Sequence, residues 1–146
     1  MMKTICMKRM LIQFTLLLLP VMVACTVNSP EITLGGPEDG NEFYAGYDVH
    51  FEARLIDSLG LKSYSIEVVA KPEEIDTSGD VVPFTYKRKW ELSREKEVFL
   101  HHHEIFIARN AAPGAYLFTL SCTNRRGKTA KVTRNIGVLQ WPQEVR

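Results

Sequence analysis

From residue 47 to residue 56 apolar and polar side chains alternate without a break. Tyr47, Val49, Phe51, Ala53 and Leu55 fall on one side, and Asp48, His50, Glu52 and Arg54 on the other. A period of two predicts a half-buried antiparallel strand. The same reading recurs along the chain. Residues 31–34 form a short first strand, closed by Gly35-Gly36-Pro37 and a Glu38-Asp39-Gly40-Asn41 turn. After the Asp57-Ser58-Leu59-Gly60 turn, residues 62–70 place Tyr64, Ile66 and Val68 on one face. Residues 71–80 are polar and turn-rich and read as an exposed loop. Residues 84–92 set Phe84, Tyr86, Trp90 and Leu92 against Lys87, Lys89 and Glu91, with Arg88 out of place on the apolar side, so the strand bulges there or its faces are misassigned. Strands over 98–108, 115–123 and 129–138 complete the set, the last two joined by the basic turn Asn124-Arg125-Arg126-Gly127-Lys128. No stretch of useful length shows helical periodicity. About seven strands with short turns between them predict an all-β chain folded as a single immunoglobulin-like antiparallel β-sandwich over residues 31–139, with residues 140–146 as a C-terminal tail in which Trp141 packs back on the domain.

The first 24 residues read differently. Lys3, Lys8 and Arg9 form a basic leader, no acidic residue precedes Glu31, and Leu11 to Ala24 is an apolar run too short to span a bilayer. It ends in Met22-Val23-Ala24-Cys25, which is similar to a bacterial lipobox with Met22 where Leu is usual. Residues 1–24 are therefore expected to be a lipoprotein signal peptide, Cys25 the lipidated residue, and residues 25–30 a tether. An ordinary secretory signal with a chance cysteine is the alternative. Thr26 is not an acidic retention signal and no acidic cluster follows, so the expected place is the outer membrane, anchored by lipid, on the periplasmic side, with surface exposure left open.

Cleavage also changes the charge. The full chain carries a net +1, but its three leader cations would be lost, leaving 15 basic against 17 acidic residues. A mildly acidic exported domain argues against a nucleic-acid partner. Of three cysteines, Cys6 leaves with the leader and Cys25 takes lipid, so Cys122 has no disulfide partner. It alternates with Tyr116, Phe118 and Leu120, as a buried core residue does.

Two stretches carry a resemblance. Asp57 to Ile66 is similar to an early turn of many bacterial immunoglobulin-like domains, and Ala112 to Phe118 with Thr123 to Lys128 to their final hairpin. With the lipobox, His50 and His102-His103-Glu104-Ile105-Phe106-Ile107, the mature chain resembles a family of uncharacterised Bacteroidetes lipoproteins, domain of unknown function 4625. Members of that family often place histidines around residues 62–80 and a His-x-His pair before the Ile-x-Ile. Here residues 67–80 hold no histidine, and Glu104 stands where the second histidine of the pair would be. The resemblance implies a lipoprotein sandwich and no activity. A metal site in the family would be partly lost or re-liganded in this chain.

All four histidines lie beyond the leader: His50, His101, His102 and His103. With Phe99, Ile105 and Ile107 pointing inward, His102 and Glu104 point outward, as His50 does on its own strand. In an immunoglobulin-like order the strands at 47–56 and 98–108 are neighbours. His50, His102 and Glu104 are then expected to share an outer face and to suit zinc or another divalent metal. A one-residue register shift would bring His101 and His103 out instead. Solvated surface histidines are the plainer reading. Trp90, beside Lys87, Arg88 and Lys89, is either a partner anchor or a core aromatic. Arg125 and Arg126 are either an anionic-surface contact or a solvated hairpin tip. Recognisable hydrolase and phosphate-loop motifs are missing. The function expected is a non-enzymatic binding or assembly module of the cell envelope for a protein or glycan partner, with a metal-binding accessory role as the alternative.

Overall fold

The computed structural model describes residues 28–142. The expected leader, Cys25 and most of the tail lie outside them. Eight strands follow in order: β1 (Glu31–Gly36), β2 (Asn41–Tyr44), β3 (Asp48–Ile56), β4 (Leu61–Ile75), β5 (Thr85–Glu91), β6 (Glu97–Phe106), β7 (Gly114–Asn124) and β8 (Thr129–Leu139). They build a three-stranded sheet in the order β1-β3-β6 and a five-stranded sheet in the order β2-β8-β7-β4-β5. There is no helix among the described residues. The chain is an all-β sandwich, as the alternation predicts.

The inward rows of β3, β4 and β7 are those read from the sequence, except that Tyr47, read on the apolar face, precedes β3 and is exposed. Val49, Phe51, Ala53 and Leu55 from β3 meet Tyr64, Ile66 and Val68 from β4 and Tyr116, Phe118, Leu120 and Cys122 from β7, all buried. Removing this apolar surface from water is the main favourable term in folding. Two polar side chains within it are fully paired, whereas the enclosed Tyr86 hydroxyl has no protein partner. The Tyr116 hydroxyl donates to Ala112 O at 2.7 Å and accepts from the Phe84 amide at 3.2 Å. Asn124 donates to Asp57 Oδ2 at 2.9 Å and to Asn28 O at 3.0 Å, while its own Oδ1 accepts from the amides of Arg126 and Lys128. One buried side chain thereby ties the entry of the chain to the two turns at that end of the sandwich.

Four expectations are corrected. β4 runs on through Ile75, into the segment read as a loop, because its far end pairs again with β7 at Gly114. That approach is open only to glycine: at φ +133° a Cβ on Gly114 would lie 2.2 Å from Glu74 O. The strand β2 was not foreseen, being four residues long without a clear alternation, and it pairs parallel with β8, so the sandwich is not wholly antiparallel. β5 has no bulge at Arg88. Its pairing with β4 is continuous, and Arg88 keeps its charge in solvent from the apolar side by lying over the Trp90 ring, 5.0 Å from its centre. Lastly, Phe99 points outward and is 72% exposed.

Candidate metal centre

The outward turn of Phe99 is one consequence of a bulge in β6. Val49 pairs with Ile105 and Phe51 with His102, so His103 and Glu104 together oppose the single residue His50. An extra residue in one strand changes which parity faces out. Leu100 is buried on one side of the irregularity and Ile105 on the other, and between them His101 and His103 reach the outer face.

The expected trio of His50, His102 and Glu104 is therefore not brought together. His102 points inward, its ring stacked on Phe51 at 5.2 Å and 10°, and its Nε2 lies 3.0 Å from the Tyr64 hydroxyl. Burial, and then the negative charge of Glu104, push that phenol up to about 12, so it stays protonated beside the ring. Glu104 turns to the margin of the sandwich and pairs with Arg88 of β5 at 2.5 Å.

His50, His101 and His103 converge instead, each offering a nitrogen within 4.8 Å of the others. The rings of His50 and His103 stack at 4.5 Å and 6°, and His101 lies 4.7 Å from His50 and 5.2 Å from His103, centre to centre. Two carboxylates of β3 flank them. Asp48 Oδ2 accepts from His103 Nδ1 at 2.8 Å, while Glu52 Oε1 lies 3.0 Å from His101 Nδ1 and 3.5 Å from His50 Nε2 as ion-pair contacts. The hydrogen bond from His103 is the main reason the Asp48 carboxyl is held below its ordinary range.

These carboxylate contacts bear on the tautomers of the rings. An imidazole that donates through Nδ1 presents a lone pair at Nε2. The Nε2 atoms of His101 and His103 face each other at 3.3 Å. In the metal-free protein one Nε2–H donates to the other Nε2 at that distance; with both protons on Nδ1, two lone pairs converge on a point that a cation can occupy. Nitrogens bound to one tetrahedral zinc at about 2.0–2.1 Å are themselves about 3.3–3.4 Å apart. The observed separation matches that of two nitrogens on one zinc, and a carboxylate beside the far nitrogen is a usual support of a metal-binding histidine. His50, exposed and stacked face-on against His103, offers the third nitrogen of the group.

The other sequence candidates lie elsewhere. Trp90 is half-buried, stacked on Tyr64 at 4.8 Å and 10°. Arg125 donates to Leu92 O at 2.8 Å at the end of the sandwich where Asn124 is buried, and Arg126 is exposed beside it. The feature that sequence reasoning passed over is a group of aromatic rings at the opposite end: Tyr44, Tyr47 and Trp141. Their clustering depends on the turn between β2 and β3 meeting the segment after β8, which no local pattern encodes.

The described residues thus define a small two-sheet β-sandwich with a histidine–carboxylate cluster on the outer face of its three-stranded sheet. The chain belongs to the family described as Domain of unknown function (DUF4625), whose model matches residues 23–139. No curated protein matches it. Among solved structures it is similar to a mutant β-glucosidase from Listeria innocua in complex with laminaribiose, at 14% identity and a TM-score of 0.33. That match covers 77% of this chain and 16% of the other, and a likeness so slight carries no argument about activity.

Proposed function

We propose that this protein is a non-enzymatic, lipid-anchored binding module of the cell envelope that holds a divalent metal ion, zinc or a close relative, on His50, His101 and His103. The observation that carries the reading is the 3.3 Å approach of His101 Nε2 to His103 Nε2 while Glu52 and Asp48 lie beside their Nδ1 atoms. The anchor and the Bacteroidetes lipoprotein assignment rest on the basic leader, the short apolar run and Ala24-Cys25. A binder is favoured over a catalyst because all three rings are about half exposed. In that high-dielectric setting an ion polarises a bound water or carbonyl far less than it does in a dry cleft. The open coordination positions face solvent, where an envelope partner or a metal carrier can reach them.

Titration calorimetry of the apo protein at pH 7.5 tests the site. One zinc per chain is expected. His101→Ala and His103→Ala should each weaken binding at least about tenfold, and Asp48→Asn by about tenfold through loss of ligand orientation. His102→Ala should leave affinity within about twofold, since no metal-facing atom is lost. Absence of binding at millimolar zinc, or wild-type affinity in the His101→Ala and His103→Ala variants, would refute the assignment.

A further inference from the structure

The aromatic rings at the other end of β3 stand on an unusually fixed piece of backbone. The turn Ala45-Gly46 joins β2 to β3, and its amides bond to both sheets. Ala45 N donates to Leu139 O at 2.8 Å, Gly46 N to Ile107 O at 2.9 Å, and Ile107 N returns to Tyr47 O at 2.9 Å. Gln140, one residue beyond β8, is pinned by its Nε2 donating to Ala111 O. Trp141 follows directly. Its ring meets Tyr44 edge-on at 4.9 Å and 68°, and Tyr47 at 5.8 Å and 33°. These contacts orient the rings while leaving Tyr44 39%, Tyr47 54% and Trp141 54% exposed.

Against this platform lies a cavity of about 350 Å³, lined by Ala45, Gly46, Tyr47, Arg109, Gln140 and Trp141. Gly46 has φ +90°, and a Cβ there would come within 3.1 Å of Arg109 Cγ. A glycine at this point lets the arginine stem lie flat on the turn, so that its guanidinium reaches the cavity. The site combines aromatic faces, which take an apolar C–H surface, with a planar fork of N–H donors that matches a carboxylate.

We propose that this corner binds a sugar residue bearing a carboxylate, as in a uronic-acid polysaccharide. A pyranose ring has an apolar C–H face for the aromatic platform and a hydroxyl rim for the Gln140 amide. Its C6 carboxylate is the group that Arg109 pairs with. The volume lies at the low end for ligand cavities, about 300–1,000 Å³, which suits one ring and not an elongated ligand. A proline-rich peptide would need several aromatic slots spaced along a groove, whereas here the rings are gathered at one point. The inference is independent of the metal reading: none of these residues belongs to the histidine cluster.

The test uses the full chain in EDTA, with Trp90→Phe so that fluorescence reports on Trp141 alone. Trimers of galacturonic and of mannuronic acid, neutral maltotriose and a proline-rich decapeptide are titrated to about 20 mM, a range that detects millimolar binding. Saturable binding of an acidic trimer is expected, at least about fivefold tighter than maltotriose. In the same assay read by calorimetry, Trp141→Ala and, separately, Arg109→Gln should weaken it, the first at least about tenfold and the second to the level of the neutral sugar. No saturation by any acidic trimer overturns the proposal. So does tighter binding of the decapeptide or the neutral trimer, or an Arg109→Gln variant with native circular dichroism and unchanged affinity.

Discussion

Tyr116 shows how much a single side chain settles. Its ring belongs to the apolar row of β7, and its hydroxyl is satisfied only because Ala112 O and the Phe84 amide lie within reach. Tyr116→Phe leaves the packing and removes the donor, so the Ala112 carbonyl loses its bond in a buried place. That should cost about 1–3 kcal/mol, read as a lower urea midpoint at unchanged slope, and no shift would mean that water already serves the carbonyl. Cys122 was legible as a core residue from alternation alone, and the structure adds a chemical consequence. Burial, with Asp57 second, pushes its thiol up to about 11. At pH 8 it should resist iodoacetamide until the domain unfolds, since the thiol is protonated as well as enclosed; rapid labelling of native protein would contradict this. Asp48 titrates on the acid side. Its folded value lies below the ordinary 3.8, so its contribution to stability is present above that pH and fades as pH falls through the lower folded value. Asp48→Asn should therefore flatten the acid limb of the stability curve measured below pH 4.

At the scale of the strand, alternation named β3, β4 and β7 and their buried rows because β3 and β7 keep one parity throughout and β4 keeps it from Tyr64 to Val68, after a register shift between Leu61 and Ser63. β6 does not. Leu100 and Ile105 are both buried although an odd number of steps separates them, and Phe99 and Phe106 are both exposed. That double parity break was visible in the sequence and is the signature of the bulge; its position fell between adjacent histidines, where polarity alone marks no face. The candidate site was therefore legible as His50 facing a histidine strand, and illegible in which histidines face it. β4 was read short because its last residues, Lys71 to Glu74, are polar on both faces at the sheet's end, where pairing with β7 and not burial sets the strand. This seam makes a prediction of its own. Gly114→Ala would force a Cβ into Glu74 O and, at positive φ, strain the backbone as well. The pairing of Ile75 with Gly114 should open, at a cost of about 2–4 kcal/mol, seen as early hydrogen exchange at Asp76, whose amide donates to Pro113 O at 2.8 Å. An alanine variant as stable as the wild type would show that the two strands separate without penalty.

Across the whole molecule the two ends of β3 acquire different roles once the anchor is considered. Asn28 is fastened to Asn124, beside the turns at Asp57 and at Arg125 to Lys128, so the chain enters at the Ile56 end of the sandwich. Asn28 lies three chain steps from Cys25, a reach of about 10 Å when extended. With Cys25 acylated, as proposed, this end must sit against the bilayer, with exposed Arg126 and Lys128 at headgroup level, where basic side chains are attracted to anionic lipid. The aromatic corner stands at the opposite end, about 26 Å away along the eight steps of β3 at about 3.3 Å each, and the histidine cluster lies on the flank near that far end. Two measurements follow from this geometry. Wild type should partition into detergent and carry lipid mass, while Cys25→Ala should stay in the aqueous phase; an aqueous wild type without lipid would remove the anchor. In vesicles with headgroup nitroxides, a tryptophan introduced at exposed Ser58, in a Trp90→Phe and Trp141→Phe background, should be strongly quenched. Trp141 alone, in the Trp90→Phe protein, should not be, because contact quenching does not extend over about 26 Å of strand. Equal quenching at both positions would mean that the domain lies flat on the membrane, with the histidine face and the aromatic corner turned toward lipid instead of into the envelope space.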